Sequence, residues 1–140
     1  MKNTLIEIML IDDDEVDVMS VKRAFKKVNI TNPLHIAGNG VEGLAMLRGE
    51  NGKKAIHPQI ILLDLNMPKM GGLEFLQEVR NDPHLKALTV VVLTTSNEER
   101  DRVQAYDLNV AGYILKPVTS GNFVEAMATF DKYWTLSEMP

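Results

Sequence analysis

Asp12, Asp13, Asp64, Thr94 and Lys116 each stand where an apolar run of the chain stops. The run "IEIMLI" (Ile6–Ile11) meets Asp12, Asp13 and Asp14, "QIILL" meets Asp64, "TVVVL" meets Thr94, Thr95 and Ser96, and "GYIL" meets Lys116–Pro117. Crowded acids repel. Two unit charges about 4 Å apart cost on the order of 4 kcal/mol at an effective dielectric of 20. A hard divalent cation relieves that repulsion, and carboxylates, backbone carbonyls and waters are the ligand set of Mg²⁺. A cation between Asp12, Asp13 and Asp64, with a lysine and a hydroxyl alongside, equips a site to receive a phosphoryl group. Asp64 is then the nucleophile, Mg²⁺ and Lys116 neutralise the phosphoryl oxygens, and Thr94 donates a hydrogen bond to one of them. Pro68 and Gly71–Gly72 turn the chain sharply after Asp64, which aims the backbone carbonyl of Asn66 at the same cation.

Taken singly, each of these residues has a plainer reading. Acids after a strand cap helices, and Asp14 or Glu15 fits that role. An aspartate at a strand end is a common turn former, "TTS" before an acidic helix is a common cap, and the lysine of a Lys-Pro pair is usually solvated. The plain readings leave unexplained why all four strand ends carry complementary chemistry.

The elements that must position these residues are legible as period and punctuation. Ile6–Ile11, Gln59–Asp64 and Thr89–Thr95 are apolar without alternation, as strands covered on both faces are. Leu34–Gly38 and Gly112–Lys116 are shorter strand candidates. Between them lie helical stripes: Val18, Val21, Phe25 and Val28; Leu73, Leu76 and Val79; Val103, Tyr106 and Val110; and Phe123, Met127, Phe130 and Trp134. "SNEERD" opens the third of these helices with Ser96 or Asn97 as cap and acids at the positive end of the dipole. A βα unit repeated five times predicts an α/β fold: a three-layer, doubly wound, five-stranded parallel sheet. Ligands of such sheets sit outside the carboxyl ends of the strands, where these polar residues collect.

Bulk properties exclude other classes. The 140 residues suit a single domain, with net charge −4 and 24% charged residues. No basic stripe tracks a phosphate backbone, so nucleic acid is not an expected partner. The sequence lacks cysteine, which excludes disulfides and thiolate metal sites. Neither a signal peptide nor a membrane-length apolar run is present, and a cytoplasmic protein without membrane contact is expected. His35, His57 and His84 lie in separate places away from the acids. The eight methionines are packing filler.

As a set, these motifs resemble a response-regulator receiver domain, the chemotaxis-regulator or flavodoxin-like fold. The resemblance covers about Leu5 to Trp134, within a single domain spanning 1–140. It implies Asp13 as a direct metal ligand beside Asp12, Asp64 as phosphoacceptor, and Thr94 as the hydroxyl residue, 30 positions after Asp64. Lys116, 52 positions after Asp64, takes the family's lysine role, and Pro117 its cis proline. It also implies Thr94 and Tyr113 as a switch: the hydroxyl moves toward the phosphoryl group, the ring turns inward, and the face of the fourth helix, fifth strand and fifth helix changes shape. A static, half-buried Tyr113 is the alternative. It implies further that Asn66 and Ser96 flank the path of a hydrolytic water and modulate the lifetime of the phosphoryl group.

The implied donor is a sensor histidine kinase or a phosphotransfer protein. The insertion "RGENGKKAIHP" and the tail "FDKYW" are similar to stand-alone receivers paired with phytochrome-type sensor kinases. Members of that group often form homodimers through the face just described, so a homodimer is a further expectation. Phe130, Tyr133 and Trp134 either contribute to such a contact or close the core.

Three rival functions fit the residues less well. An aspartyl-phosphate-type phosphatase needs a second acid two residues after its nucleophile, where this chain has Asn66. A flavodoxin-like cofactor binder needs phosphate-cradling amides after the first strand, where "DDDE" repels phosphate. An inactive receiver-like interaction module has no call for a complete set of reactive residues. The protein is therefore expected to be no enzyme beyond catalysing its own phosphorylation and dephosphorylation.

Overall fold

The computed structural model describes residues 7–52, 54–65, 67, 70–95 and 108–128. They form β1 (Ile8–Ile11), α1 (Glu15–Lys27), β2 (Leu34–Ala37), α2 (Gly40–Arg48), β3 (Ile60–Asp64), α3 (Gly72–Asn81), β4 (Thr89–Thr94), β5 (Gly112–Leu115) and a C-terminal helix (Ser120–Ala128). The sheet order is β2-β1-β3-β4-β5, with every neighbouring pair parallel. This is the doubly wound sheet that the unbroken apolar runs predict. The fourth helix, Ser96, Asn66, Pro68, Phe130, Tyr133 and Trp134 lie outside the described residues. No described helix is long and apolar enough to cross a membrane.

Side chains of a strand alternate between its two faces, so each buried strand feeds two cores. Ile8, Leu10, Ile60, Leu62, Val91 and Leu93 pack toward Val21 and Phe25 of α1 and Phe123 of the C-terminal helix. The Phe25 and Phe123 rings meet at 4.8 Å in a tilted pair. On the other face, Met9, Ile11, Ile61, Leu63, Val90 and Val92 pack toward α2 and α3. Leu63 and Leu62 therefore face different layers although they are neighbours, which is why β3 shows no polar alternation.

Helix starts follow local chemistry. Asp14 caps α1 by accepting from the Val16 N–H at 2.7 Å, and Asn39 caps α2 by accepting from the Glu42 N–H at 2.9 Å. The segment forming α2 has a weak stripe in sequence because glycines take two of its buried places. A Cβ on Gly40 would press into Met70, and one on Gly43 into Ile11 and Phe75. Glycine lets this helix sit closer to the sheet than any other residue would allow.

Arg80, at the end of α3, ties down the chain on both sides of β4. Its Nε donates to the Leu108 carbonyl at 2.7 Å and its Nη2 to that of Asn109 at 2.9 Å. Its Nη1 donates to the carbonyls of Lys86 at 2.9 Å and Leu88 at 2.8 Å.

Candidate functional site

Register brings the reactive residues together. Ile11 pairs with Leu63, so Asp12 and Asp64 leave adjacent strands at one level, on either side of the point where strand order reverses. Thr94 pairs with Leu115, which puts Lys116 one step beyond Thr94, and the Lys116 N–H donates to the Thr94 carbonyl at 2.9 Å. Asp12, Asp64 and Thr94 are buried polar residues, at 2%, 3% and 1% exposure. Burying acids costs free energy unless something compensates, so their enclosure calls for a cation.

Lys116 is the cation that the chain itself supplies. Its Nζ lies 2.6 Å from Asp17 Oδ2, 2.8 Å from Asp64 Oδ1 and 3.5 Å from Asp12 Oδ2. Burial pulls the Lys116 pKa down, but the hydrogen bonds to Asp17 and Asp64 and the charge of Asp12 outweigh it and hold the ammonium above its ordinary value. The lysine stays charged throughout the physiological range.

One ammonium does not serve three carboxylates. Asp12 Oδ1 accepts from the Asp14 N–H at 2.9 Å, but the buried Oδ2 has no hydrogen-bond partner, and 3.5 Å to Lys116 is ion-pair contact only. Burial raises the Asp12 pKa to about 7; the Asp14 N–H lowers it in part, and the charge of Asp64 raises it further. Among the described residues, oxygens of Asp12, Asp17 and Asp64 all lie within 4.8 Å of one another. Acidic oxygens gathered this closely, one of them buried without a hydrogen-bond partner, are the donor set of a hard divalent cation. The residues present fit such an ion.

The other expected site residues fall as follows. Asp13 is exposed and stands outside that close group. The Asn66 carbonyl and Ser96 fall outside the described residues. Tyr113 is half-buried on β5, opposite Val92, and packs against the α2–α3 side of the core. The Lys116–Pro117 peptide bond is cis.

Two contributors escaped the sequence reading. Asp17 lies in the first turn of α1, and its signal is an acid in register with the buried Val21 and Ala24, on a face that should be apolar. Asn122 braces the loop that carries Lys116. Its Nδ2 donates to the carbonyls of Leu115 at 2.9 Å and Pro117 at 3.2 Å, its Oδ1 accepts from the Thr119 N–H at 2.7 Å, and its own backbone N–H donates to Thr119 Oγ1 at 3.1 Å. "TSGN" before an apolar stripe is the mark of such a cap.

A five-stranded parallel sheet with acids, a hydroxyl and a lysine at its carboxyl edge defines the receiver class. The chain belongs to the response regulator receiver domain family, which it matches over residues 8–128. It is a two-component response-regulator receiver.

Among individual relatives, the response regulator Rcp1 of Synechocystis sp. is 34% identical over 128 residues, covering 91% of this chain and 87% of Rcp1. The Mn²⁺-bound structure of Rcp1 superposes with a TM-score of 0.76 at 34% identity, covering 93% of this chain and 97% of that one. The bacteriophytochrome response regulator RtBRR gives a TM-score of 0.87 at 37% identity, with coverage of 98% and 85%. The phosphorylated cyanobacterial phytochrome response regulator RcpA gives 0.77 at 34% identity, with coverage of 95% and 99%.

Proposed function

We propose that Asp64 is the phosphoacceptor and that a sensor histidine kinase or phosphotransfer protein is the donor, as part of a cytoplasmic phosphorelay. The observation that carries this reading is the placement of Asp64, a nearly enclosed carboxylate 2.8 Å from a lysine and beside the unpartnered oxygen of Asp12. An Asp64 oxygen attacks the phosphorus of the donor's phosphohistidine. The P–N bond breaks, its electron pair stays on the imidazole nitrogen, and an acyl phosphate forms on Asp64. Lys116 moves from the carboxylate to a phosphoryl oxygen, and the Thr94 hydroxyl donates to another. Asp12, Asp13, Asp64 and the Asn66 carbonyl would hold a divalent ion such as Mg²⁺, which would supply Lewis-acid neutralisation of the phosphoryl charge when bound. The Mn²⁺-bound Rcp1 structure supports a divalent metal, and the phosphorylated RcpA structure supports phosphorylation.

The output is a change of surface at the fourth helix, β5 and the C-terminal helix, coupled through Thr94 and Tyr113. Swinging such a switch from 1:99 to 99:1 takes about 5.5 kcal/mol of preference for the active state. Leu115 and Val124 are exposed on β5 and the C-terminal helix, at 59% and 48%, and support this face as a protein contact, including a homodimer. The assignment is tested by incubating the protein with Mg²⁺ and a small-molecule phosphodonor. Stoichiometric, hydroxylamine-labile phosphate that disappears in Asp64→Asn is expected. Continuous turnover of an organic monophosphate would point to a phosphatase instead.

A further inference from the structure

The shortest of the three Lys116 ion pairs joins it to Asp17, an acid of the close group that is given no role in the phosphoryl transfer above. Lys116 Nζ is 2.6 Å from Asp17 Oδ2, closer than to Asp64 at 2.8 Å or Asp12 at 3.5 Å. Both side chains are largely enclosed, Lys116 at 12% and Asp17 at 15% exposure, so solvent screens this pair weakly. Asp17 is held by a fixed backbone. Asp14 caps the helix that carries it, and Val21 and Ala24, one and two turns on, are buried against the sheet. Lys116, by contrast, hangs on a flexible four-carbon stem that does not set its own direction.

We infer that Asp17 is a positioning residue for phosphoryl transfer: it pulls the Lys116 ammonium toward α1 and keeps it from settling wholly on Asp64 and Asp12. An ammonium drawn fully onto Asp64 would blunt the nucleophile. Drawn onto Asp12, it would occupy Oδ2, a buried oxygen that has no hydrogen-bond partner and is suited to a cation. Asp17 also gives the ammonium a partner at the site while Asp64 is engaged with phosphorus. Nothing in the chemistry of phosphoryl transfer asks for an acid there; the geometry does. The inference deepens the reading of Asp64 as phosphoacceptor and rests on it.

A double-mutant cycle tests it. Asp17→Asn, which keeps size and loses charge, is expected to slow phosphorylation by a small-molecule donor about tenfold, the coupling expected of groups in direct contact. Asp17→Glu, reaching the same flexible lysine, is expected to recover most of that loss. In a Lys116→Met background, Asp17→Asn is expected to change the rate by less than about twofold, since its route of action is gone.

An undiminished effect in the Lys116→Met background would overturn the inference and make Asp17 a direct metal ligand, a role that Mg²⁺ titration by calorimetry would confirm without any phosphodonor. Should the substitutions fail to fold, the wild type decides by NMR. A slowly exchanging Lys116 NζH₃ signal that persists with Mg²⁺ supports the tether, and its loss to solvent exchange refutes it. Wild-type protein that takes up no phosphate would sink the Asp64 reading and leave the NMR result on the tether standing.

Discussion

Gly72 sits directly under Asp64: a Cβ at position 72 would overlap the Asp64 carbonyl oxygen and crowd the Leu65 backbone. The neighbour is main chain, so no side-chain rotation relieves the clash. Gly72→Ala is therefore expected to cost about 1–3 kcal/mol, as overpacked sites do, and to move the acceptor itself. Urea denaturation and the phosphorylation rate should both fall, whereas Gly52→Ala, where an added Cβ meets nothing but the backbone angle is strained, should touch stability alone.

Asp12 makes the apo protein pH-sensitive in an unusual direction. Its folded pKa, about 7, lies above the unfolded value of 3.8, so between those values the native state holds a proton that the unfolded state has lost. Its contribution to stability is thus full at low pH and fades as pH rises toward 7. Thermal melts should show Mg²⁺ raising Tm more at pH 8 than at pH 5, because the ion competes with that proton. Asp12→Asn should stabilise the apo protein by about 1–2 kcal/mol and abolish the Mg²⁺ increment.

Arg80 spends its donors on main-chain carbonyls from two separate segments. Arg80→Ala should cost about 2–3 kcal/mol in urea denaturation by leaving those acceptors without their shared donor. Lys cannot reproduce the planar fork, so Arg80→Lys should recover less than half of the loss. Amides near Leu108 and Asn109 should exchange faster in both.

Thr94 offers a chemical test of the hydroxyl. Thr94→Ala should slow phosphorylation about tenfold by removing one donor to the phosphoryl oxygens, while Thr94→Ser keeps the donor and should stay within about twofold of wild type. Initial rates with a small-molecule phosphodonor measure both.

The sheet was readable because parallel strands buried on both faces leave unbroken apolar runs, and the residues that end those runs are the ones that meet. Asp12, Asp64, Thr94 and Lys116 could be placed on one edge from that rule alone. Asp17 could not, because an acid in a helix's first turn has an ordinary explanation in the helix dipole. Only the lysine's direction, which no periodicity encodes, shows its second use. The helix α2 was obscured for a related reason. Gly40 and Gly43 look like loop residues until Met70, Ile11 and Phe75 are seen pressed against them. Asn122 has a local signal only as a cap, in "TSGN", and its grip on the Leu115 and Pro117 carbonyls is a tertiary matter that no local pattern encodes.

The glycines of α2 have a consequence for how a signal would travel. The Gly40 N–H donates to the Met70 carbonyl at 3.2 Å, and at Gly40 and Gly43 there is no room between helix and neighbours for even a methyl group. A joint without clearance cannot cushion what reaches it. A displacement of Met70, on the chain that follows the acceptor aspartate, would therefore press directly on the start of α2.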